Sequence, residues 1–477
     1  MNSKRWLFPI LGLMIGLNIF SVPVFGDNPK HEVILRSNRY KVEIRQKGQQ
    51  KWKQLFVYQG MNPNLKTQDV SWASFEVGRA TEVRINPLNV TIDSVKVRPG
   101  IFGVKHSIID NYSILKIDRP LQVSIEINGN KSNPLLLFAN PPEVYSPKRF
   151  PKTVFFKPGI HQIGERYILE SNTTYYLEEG AYLTGSMYGK GTLENVTIKG
   201  RGIIDSGHQQ WQHPTKGLLS NIIFEDGRNI EIEGITCIGA GNFQLKIQSK
   251  GDSSSIKINN VKLIGWNNNT DGIHVSDMDW KDHPMVGNGK SITLKVENCF
   301  IRANDDAILL CDGVAYSEMR NCVIWDDGGG ASFCLSWGGH NKVDSCLVSH
   351  CYVIHKEGKN PVFRANHAGE AVLQNIRFED ITIEGDAYTL FGLKIFHHRY
   401  DPDPGLGSIK NITFRNITLE GLSTHNYIEG FDEMHQIENI RFENLKINGI
   451  MINSKDVLHL SVNQFVKDID FAVTASR

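Results

Sequence analysis

Two short stretches place aspartates directly before apolar, strand-like runs. The first is NNNTDGIHV, residues 267–275, which carries Asp271, and the second is RANDDAILL, residues 302–310, which carries Asp305 and Asp306. Aligning DGIHV with DAILL puts Asp271 over Asp306. Two like charges 4 Å apart repel by about 4 kcal/mol at an effective dielectric near 20. A scaffold gains nothing from such a cluster, so we expect the three aspartates to serve chemistry.

Clustered carboxyl groups suit the hydrolysis of a glycosidic bond, which needs an acid for the leaving oxygen and a base or nucleophile opposite it. Mutual repulsion keeps one such group protonated by raising its pKa. A separation of about 6.5 to 9.5 Å between the working groups admits a water molecule and predicts inversion. Because consecutive strand residues face opposite sides, Asp305 and Asp306 can work together only where the chain bends.

Each motif alone also has a purely structural explanation. NTDG is most often a turn, and a pair of adjacent aspartates is usually solvated. His274, in the alternating run after Asp271, is either an oriented structural histidine or a substrate ligand. The joint occurrence of the acidic motifs on neighbouring repeats favours function over these explanations.

A recurring phrase, asparagine followed by apolar, any and apolar residues, organises the second part of the chain. It occurs as NVTIKG at 195, NIEIEG at 229, NVKLIG at 260, NCFIRA at 298, NCVIWD at 321, NIRFED at 375, NITFRN at 411 and NIRFEN at 439. The alternation is that of short strands, and units this small bury an apolar face only by stacking. We predict an all-β chain with a right-handed parallel β-helix over residues 143–477. The asparagines form either an internal amide ladder or turns with left-handed backbone.

Residues 27–142 lack this phrase and alternate in the manner of antiparallel strands, which predicts an N-terminal β-sandwich. The proline-rich stretch PPEVYSPKRFPK, residues 141–152, is typical of a linker. We expect the sandwich to cover the first coil and remove an exposed sheet edge.

Residues 1–26 combine Lys4 and Arg5 with an apolar run and a small-residue end, the pattern of a secretory signal peptide. No second apolar stretch of about 18 residues follows, so we expect no membrane span and a periplasmic, cell-surface or secreted location. Lys and Arg total 52 against 51 Asp and Glu, which leaves no global field for nucleic acid. We expect a monomer.

All seven cysteines lie from Cys237 onward. Cys299, Cys322 and Cys346 are 23 and 24 residues apart, and Cys311 and Cys334 are 23 apart. This spacing predicts two columns of stacked, buried thiols. Without CxxC or HxxxH spacing we expect no metal site and no cofactor.

Several aromatic and basic side chains near the aspartates are candidates for sugar binding. They are Trp266, Trp337, Arg364, Lys394, His398 and Arg399. An indole face can stack on a sugar ring, although each tryptophan can equally pack in the core. The basic residues of KIFHHRY, residues 394–400, line the cleft or form a solvated turn.

Four stretches resemble the polygalacturonase superfamily of β-helical glycoside hydrolases: NTDG, NDD, KPGIHQIG and LESNTTYYLEEGAYLTGS. The resemblance covers residues 27–450 and is nearer to the dextranase and isopullulanase branch, which also carries an N-terminal β-sandwich. FCLSWGGHNKVDSCLVSHCYVIH is similar to that branch's run after the catalytic pair. The resemblance implies that Asp305 is the general acid and that Asp271 and Asp306 activate water.

Two departures bear on the substrate. DDGGGAS, residues 326–332, replaces the Gly-His-Gly of polygalacturonases, and their Arg-Ile-Lys becomes Gly392, Leu393 and Lys394. A uronate subsite needs cationic partners, so pectin is a poor candidate. We predict an exported, inverting hydrolase of a polysaccharide or oligosaccharide. The alternatives are a uronan-active polygalacturonase-type hydrolase, a β-helical lyase with Ca²⁺ and a basic residue, and a non-catalytic glycan-binding solenoid.

Overall fold

The computed structural model describes residues 36–61, 68–143, 151–207, 220–248, 253–276, 291–398 and 405–473. Within these ranges the chain is all-β, and the one helical element is the turn Gly100–Phe102. No helix in the described ranges has the length and apolar character needed to cross a membrane. The predicted signal peptide lies outside them.

Ten strands form an N-terminal module of two five-stranded sheets. They are β1 (Tyr40–Gln46), β2 (Lys53–Gln54), β3 (Tyr58–Met61), β4 (Asp69–Glu76), β5 (Thr81–Pro87), β6 (Val95–Arg98), β7 (His106–Ile109), β8 (Tyr112–Ile117), β9 (Leu121–Ile127) and β10 (Leu135–Asn140). The strand orders are β2-β1-β5-β8-β7 and β3-β4-β10-β9-β6. Apolar side chains of both sheets, among them Val42 and Leu137, share one buried core.

A further 29 strands are linked by pairing, almost all of it parallel. They are β11 (Lys152–Phe156), β12 (Gly159–Ile168), β13 (Thr173–Leu177), β14 (Ala181–Gly200), β15 (Ile203–Asp205), β16 (Ile222–Glu233), β17 (Thr236–Ile238), β18 (Leu245–Ile247), β19 (Ser254–Asn259), β20 (Lys262–Ile264), β21 (Ile273–Val275), β22 (Ile292–Glu297), β23 (Phe300–Ala303), β24 (Ile308–Leu310), β25 (Glu318–Arg320), β26 (Val323–Asp326), β27 (Phe333–Cys334), β28 (Val343–Ser349), β29 (Tyr352–Lys356), β30 (Phe363–His367), β31 (Val372–Glu384), β32 (Phe391–Ile395), β33 (Ser408–Glu420), β34 (Asn426–Glu429), β35 (Ile437–Glu443), β36 (Lys446–Ile447), β37 (Ile450–Met451), β38 (Leu460–Val462) and β39 (Val466–Ala472).

Parallel pairing sorts most of these strands into three sheets, as a parallel β-helix requires. Sheet A includes β13, β19, β22, β25, β28 and β35, sheet B includes β15, β17, β20, β23, β26 and β29, and sheet C includes β18, β21, β24, β27, β30, β32, β34 and β38. Inward side chains of all three sheets fill one continuous apolar core. The predicted stacking of parallel coils is confirmed.

The recurring asparagine phrase occupies two corners of the coil. Asn195 and Asn229 are in register before strands of sheet A, whereas Asn298 and Asn321 are in register before sheet B. All eight asparagines that open the phrase have φ between 54° and 57°, the left-handed region that asparagine tolerates. Exposed side-chain bonds also join successive coils, as from Nδ2 of Asn229 to Oδ1 of Asn195. Both proposed roles therefore coexist, but the ladder is external and not internal.

All seven cysteines are buried and reduced, as predicted, although the columns differ from the spacing argument. Cys299 and Cys322 stack in register, but the next thiol above them is that of Cys351. Cys346 belongs to sheet A, and Cys334 pairs in register with Leu309. Corner lengths vary from coil to coil, so equal sequence spacing does not ensure equal position.

The N-terminal module docks along the flank of the β-helix. Trp72 and Phe138 on the outer face of its second sheet pack against outward side chains of sheet B such as Phe300 and Val323. We expected the module to cover the first coil, but these contacts run along the coils. The outward residues of sheet B are themselves apolar, so this flank must be covered to keep it from water.

Candidate active site

The three aspartates meet at the corner between sheets B and C. Ile273 of β21 pairs with Ile308 of β24, so Asp271 and Asp306 hold equivalent positions on neighbouring coils. The corner before β21 is longer than the corner before β24, so the two motifs reach the same register after connections of different length.

The chain bends at Asp305 and Asp306, which lie in the turn between β23 and β24. The backbone N–H groups of Asn304 and Asp305 both donate to the carbonyl oxygen of Thr270, at 3.1 and 3.2 Å. The N–H of Gly272 donates to the carbonyl of Asp306 at 3.0 Å. Backbone bonds between two coils therefore fix the turn that carries the acidic groups.

Glycines allow the backbones to approach each other here. A Cβ on Gly330 would lie 2.3 Å from the backbone nitrogen of Asp306 and 2.4 Å from Oδ1 of Asp305. A Cβ on Gly272 would lie 2.3 Å from the carbonyl oxygen of Ala307. The DDGGGAS stretch, which lacks the histidine of polygalacturonases, packs directly against the turn of Asp305.

Asp306 is held by three donors. The N–H of Ala331 donates to Oδ1 at 2.8 Å, the indole N–H of Trp337 donates to Oδ2 at 2.9 Å, and the guanidinium of Arg364 donates to Oδ1. Arg364 is 1% exposed and lies over the Trp337 ring, 4.4 Å from its centroid. Charge-assisted bonds of this kind are shorter and stronger than those between neutral groups, so they hold the Asp306 side chain in place.

Arg364 is fixed in the charged state by the same contact. Burial alone would lower the pKa of its guanidinium, but the adjacent Asp306 carboxylate outweighs this and raises the pKa above its usual value. The structure therefore places Arg364 beside the acidic turn, where it supports Asp306.

Asp271 is buried and bonded to a histidine. Nδ1 of His274 lies 2.7 Å from its Oδ2, and the imidazole stacks on Phe243 with ring centroids 3.6 Å apart. Burial first, and then the charges of Asp305 and Asp306, raise the pKa of the Asp271 carboxyl well above its usual value. Burial and nearby Lys246 lower the pKa of His274, so the imidazole is neutral, and its Nδ1 donates the bond when the Asp271 carboxyl is ionised.

Asp305 is the more accessible of the three carboxyl groups. It is half-buried, whereas Asp271 and Asp306 are buried. Desolvation and the neighbouring Asp306 charge raise the pKa of Asp305 to about 7, with Arg364 opposing the shift. At neutral pH this group carries a proton for a substantial fraction of the time.

A second buried ion pair lies under the glycine stretch and was missed in the sequence. Nζ of Lys356 lies 3.2 Å from Oδ2 of Asp326 and donates to the carbonyl of Gly330 at 3.2 Å. Oδ1 of Asp326 accepts the N–H of Gly328 at 2.8 Å. Burial raises the pKa of Asp326 to about 6. In the sequence, this ion pair was indicated by the charged residues at the ends of the apolar runs VIWD and VIHK.

The remaining candidates lie at varying positions. Lys394 lies on the strand of sheet C that pairs next to the strand of Arg364. Its Nζ is 2.8 Å from Oε2 of Glu429. The His398 ring centroid is 5.3 Å from that of Trp337. Arg399 lies outside the described residues.

Trp266 is not an exposed stacking platform. It is 6% exposed and belongs to the core between sheet B and the module. A Cβ on Gly60 of the module would lie 2.5 Å from its ring. Of the two roles left open for Trp266, the structure shows core packing, because the docked module covers a face of its ring.

A family model for glycosyl hydrolases family 28 matches residues 153–467, which include the whole acidic corner. The chain belongs to glycosyl hydrolase family 28. It is therefore a glycoside hydrolase of the polygalacturonase-like superfamily, as NTDG and NDD implied. Comparison with curated proteins finds no match.

Solved structures similar to this family 28 chain include Dex49A from Penicillium minioluteum, with 15% identity and a TM-score of 0.70 over 93% of this chain and 97% of that one. The exopolygalacturonase from Thermotoga maritima has 14% identity and a TM-score of 0.47 over 68% and 84%. The polygalacturonase from Erwinia carotovora ssp. carotovora has 14% identity and a TM-score of 0.45 over 68% and 90%. At this level of identity the similarity to Dex49A concerns the fold.

Proposed function

We propose that this protein hydrolyses glycosidic bonds of a polysaccharide or oligosaccharide with inversion, and that Asp305 is the general acid. The observation that carries the proposal is the half-buried Asp305 carboxyl in the acidic turn, next to an Asp306 held by Arg364. Desolvation and the Asp306 charge raise the pKa of Asp305 to about 7. A group with this pKa can hold a proton at neutral pH and release it to the leaving oxygen. No second carboxyl group of the cluster combines such accessibility with this shift.

Asp271 and Asp306 would activate the attacking water in different ways. Both oxygens of Asp306 accept hydrogen bonds, which favours orienting the water over taking its proton. Among the described residues, Asp271 has one side-chain partner, His274. Its raised pKa favours taking a proton from the attacking water.

The charges of the site favour a neutral glycan over a uronate. Arg364 is committed to Asp306, and Lys394 is paired with Glu429. A substrate carboxylate would have to compete with these protein carboxylates for its cations. Neutral polysaccharides such as dextran, suggested by the dextranase-like motifs, are therefore the first substrates to test, with Trp337 and His398 beside the site.

Hydrolysis can be tested by reducing-end release from dextran, pullulan, polygalacturonate and a sulfated polysaccharide, with the Asp305→Asn protein alongside. We expect the protein to release reducing ends from a neutral polymer and the Asp305→Asn variant to release none. NMR of the products should detect the inverted anomer first. Prompt appearance of the retained anomer would contradict water activation. An unsaturated, ultraviolet-absorbing product abolished by a chelator would instead indicate a lyase, and glycan binding without release a lectin-like solenoid.

The domain assignment is part of the proposal. Residues 27–142 would form a β-sandwich that stays docked to a right-handed β-helical catalytic domain, residues 143–477. Two sheets with a common core support the first assignment. Residues 1–26 would direct export, and the mature protein would act as a monomer. N-terminal sequencing of secreted protein and light scattering test these two points.

A further inference from the structure

A cavity of about 270 Å³ lies between the N-terminal module and the acidic corner. Lys131 and Ser132 line it from the module, and Trp266, Asn304, Asp327 and Glu357 line it from the β-helix. A water molecule occupies about 30 Å³ in the liquid, so the space equals that of roughly nine waters. This is comparable to the volume of a single sugar residue.

The cavity adjoins the turn of the proposed acid. Asn304 immediately precedes Asp305, and its carbonyl accepts the N–H of Gly329 from the glycine stretch. The wall formed by Asn304 is therefore rigidly connected to the group that would protonate the leaving oxygen. A ring bound in the cavity would contact Asn304, the residue next to the proposed acid.

The charges that line the cavity cancel in pairs. Nε of Arg302 lies 2.9 Å from Oδ2 of Asp327, and the indole N–H of Trp325 donates to Oδ1 of the same carboxylate at 2.9 Å. Lys131 of the module pairs with Glu357. The surface is rich in hydrogen-bonding groups without net charge, which suits hydroxyl groups better than an ionic ligand.

Two groups facing this space have unused hydrogen-bonding capacity. The Ser132 hydroxyl and the Asn304 amide have no side-chain hydrogen bonds within the described part of the chain, and both residues are half-buried. Trp266 also lines the cavity and supplies apolar surface beside them. A hydroxyl, an amide and an indole together match the mixed polar and apolar character of a sugar ring.

We propose that this cavity is a subsite for one uncharged sugar residue, so that the N-terminal module forms part of the substrate-binding cleft. The inference rests on the proposed glycoside hydrolysis and specifies its substrate as a neutral chain with a ring beyond the cleaved bond. The Lys131–Glu357 pair then serves two purposes, since it docks the module and closes one wall of the subsite.

The test fills the cavity from the module side with Ser132→Trp in the Asp305→Asn background. Its matched control is Ser107→Trp, at an exposed position on β7 in the sheet that does not face the β-helix. Binding of isomaltotetraose, maltotetraose and tetragalacturonate is measured by calorimetry, with thermal midpoints to verify folding.

We expect a neutral tetrasaccharide to bind the Asp305→Asn protein and to bind roughly 10- to 100-fold more weakly after Ser132→Trp, since a ring's contacts are lost. Ser107→Trp should leave affinity unchanged. Equal affinity of the Ser132→Trp and Ser107→Trp proteins, or no binding of any tetrasaccharide, would overturn the subsite. Loss of binding in Ser132→Trp without hydrolysis by the parent protein would overturn the proposed function alone.

Discussion

Nδ1 of His274 lies 2.7 Å from Oδ2 of Asp271, and the imidazole stacks on the ring of Phe243. The ring is neutral because burial and Lys246 lower its pKa. The contact therefore orients the carboxylate without adding a positive charge to the acidic corner.

Removing this donor should impair the base. We expect His274→Leu to reduce kcat by about 10- to 100-fold with little change in KM, as loss of a bond to a charged group costs about 1.5–3 kcal/mol. With the donor gone, the carboxylate is less stabilised, so the pKa of Asp271 rises and the acid limb of the kcat profile moves to higher pH. His274→Asn, which can place an N–H near the position of Nδ1, should recover most of the rate. Equal rates of the Leu and Asn variants would contradict the role of the bond.

The pH dependence of hydrolysis should report Asp305. Because the acid must be protonated, kcat/KM should fall about tenfold per pH unit above the pKa of about 7. Initial rates between pH 4 and pH 9 in buffers of constant ionic strength measure this limb. A rate that stays constant to pH 9 would exclude Asp305 as the acid.

The same shift predicts a gain in stability when the acid is removed. The pKa of Asp305 is about 7 in the folded chain and about 3.9 unfolded. The folded state therefore binds its proton more tightly, and stability is lost as pH rises from about 4 to about 7. Asp305→Asn, which cannot ionise, should be more stable than the parent at pH 8 by roughly 1 to 4 kcal/mol, and about equal at pH 4. Asp118→Asn, at an exposed site, is the control for denaturant unfolding, and an Asp305→Asn protein less stable than the parent at pH 8 would refute the argument.

Arg364 should be indispensable to the fold of the site. Arg364→Met leaves the Asp306 carboxylate buried without its cation and should cost about 3–5 kcal/mol. Adding Asp306→Asn removes the charge and should recover part of that stability, although activity stays low. Urea denaturation of the two single variants and the double variant gives the coupling energy. Additive effects would mean that the pair contributes no interaction.

Gly330→Ala should misplace the acid. Its Cβ would meet the backbone and Oδ1 of Asp305 at 2.4 Å, and a shift of about 1 Å at a reacting group can cost about 100-fold in rate. Gly100→Ala is the control, since its nearest atom would be 3.7 Å away. Comparison of kcat for the two proteins tests the point, and an unimpaired Gly330→Ala enzyme would show that the turn can adjust.

The parts of the site that depend on local repeats were predictable. Asp271 and Asp306 each stand two residues before the first residue of a strand of sheet C, so motif alignment gave their register. The parallel coils followed from alternation and turn residues. The bend at Asp305 was predicted because the two adjacent aspartates can work together only where the chain bends.

The parts of the site that depend on long-range packing could not be predicted from the sequence. Trp266 is covered by a module whose docking face cannot be deduced from either segment alone. The pairing of Arg364 with Asp306 spans 58 residues and requires knowledge of how many coils separate them. Asp326 and Lys356 resemble ordinary strand ends in the sequence, and only their positions in the structure show that both are buried together.

The N-terminal module, docked along sheet B, affects how the β-helix unfolds locally. Isolated solenoid coils couple only to their neighbours and can fray one at a time. Here the N-terminal module contacts the β-helix from Tyr182 to Glu384. Local unfolding of any of these coils therefore also breaks contacts with the module. Amide exchange in this stretch should approach the global limit, while the coils after Glu384 exchange sooner. The acidic corner thus lies in the part of the chain where local unfolding costs the most free energy.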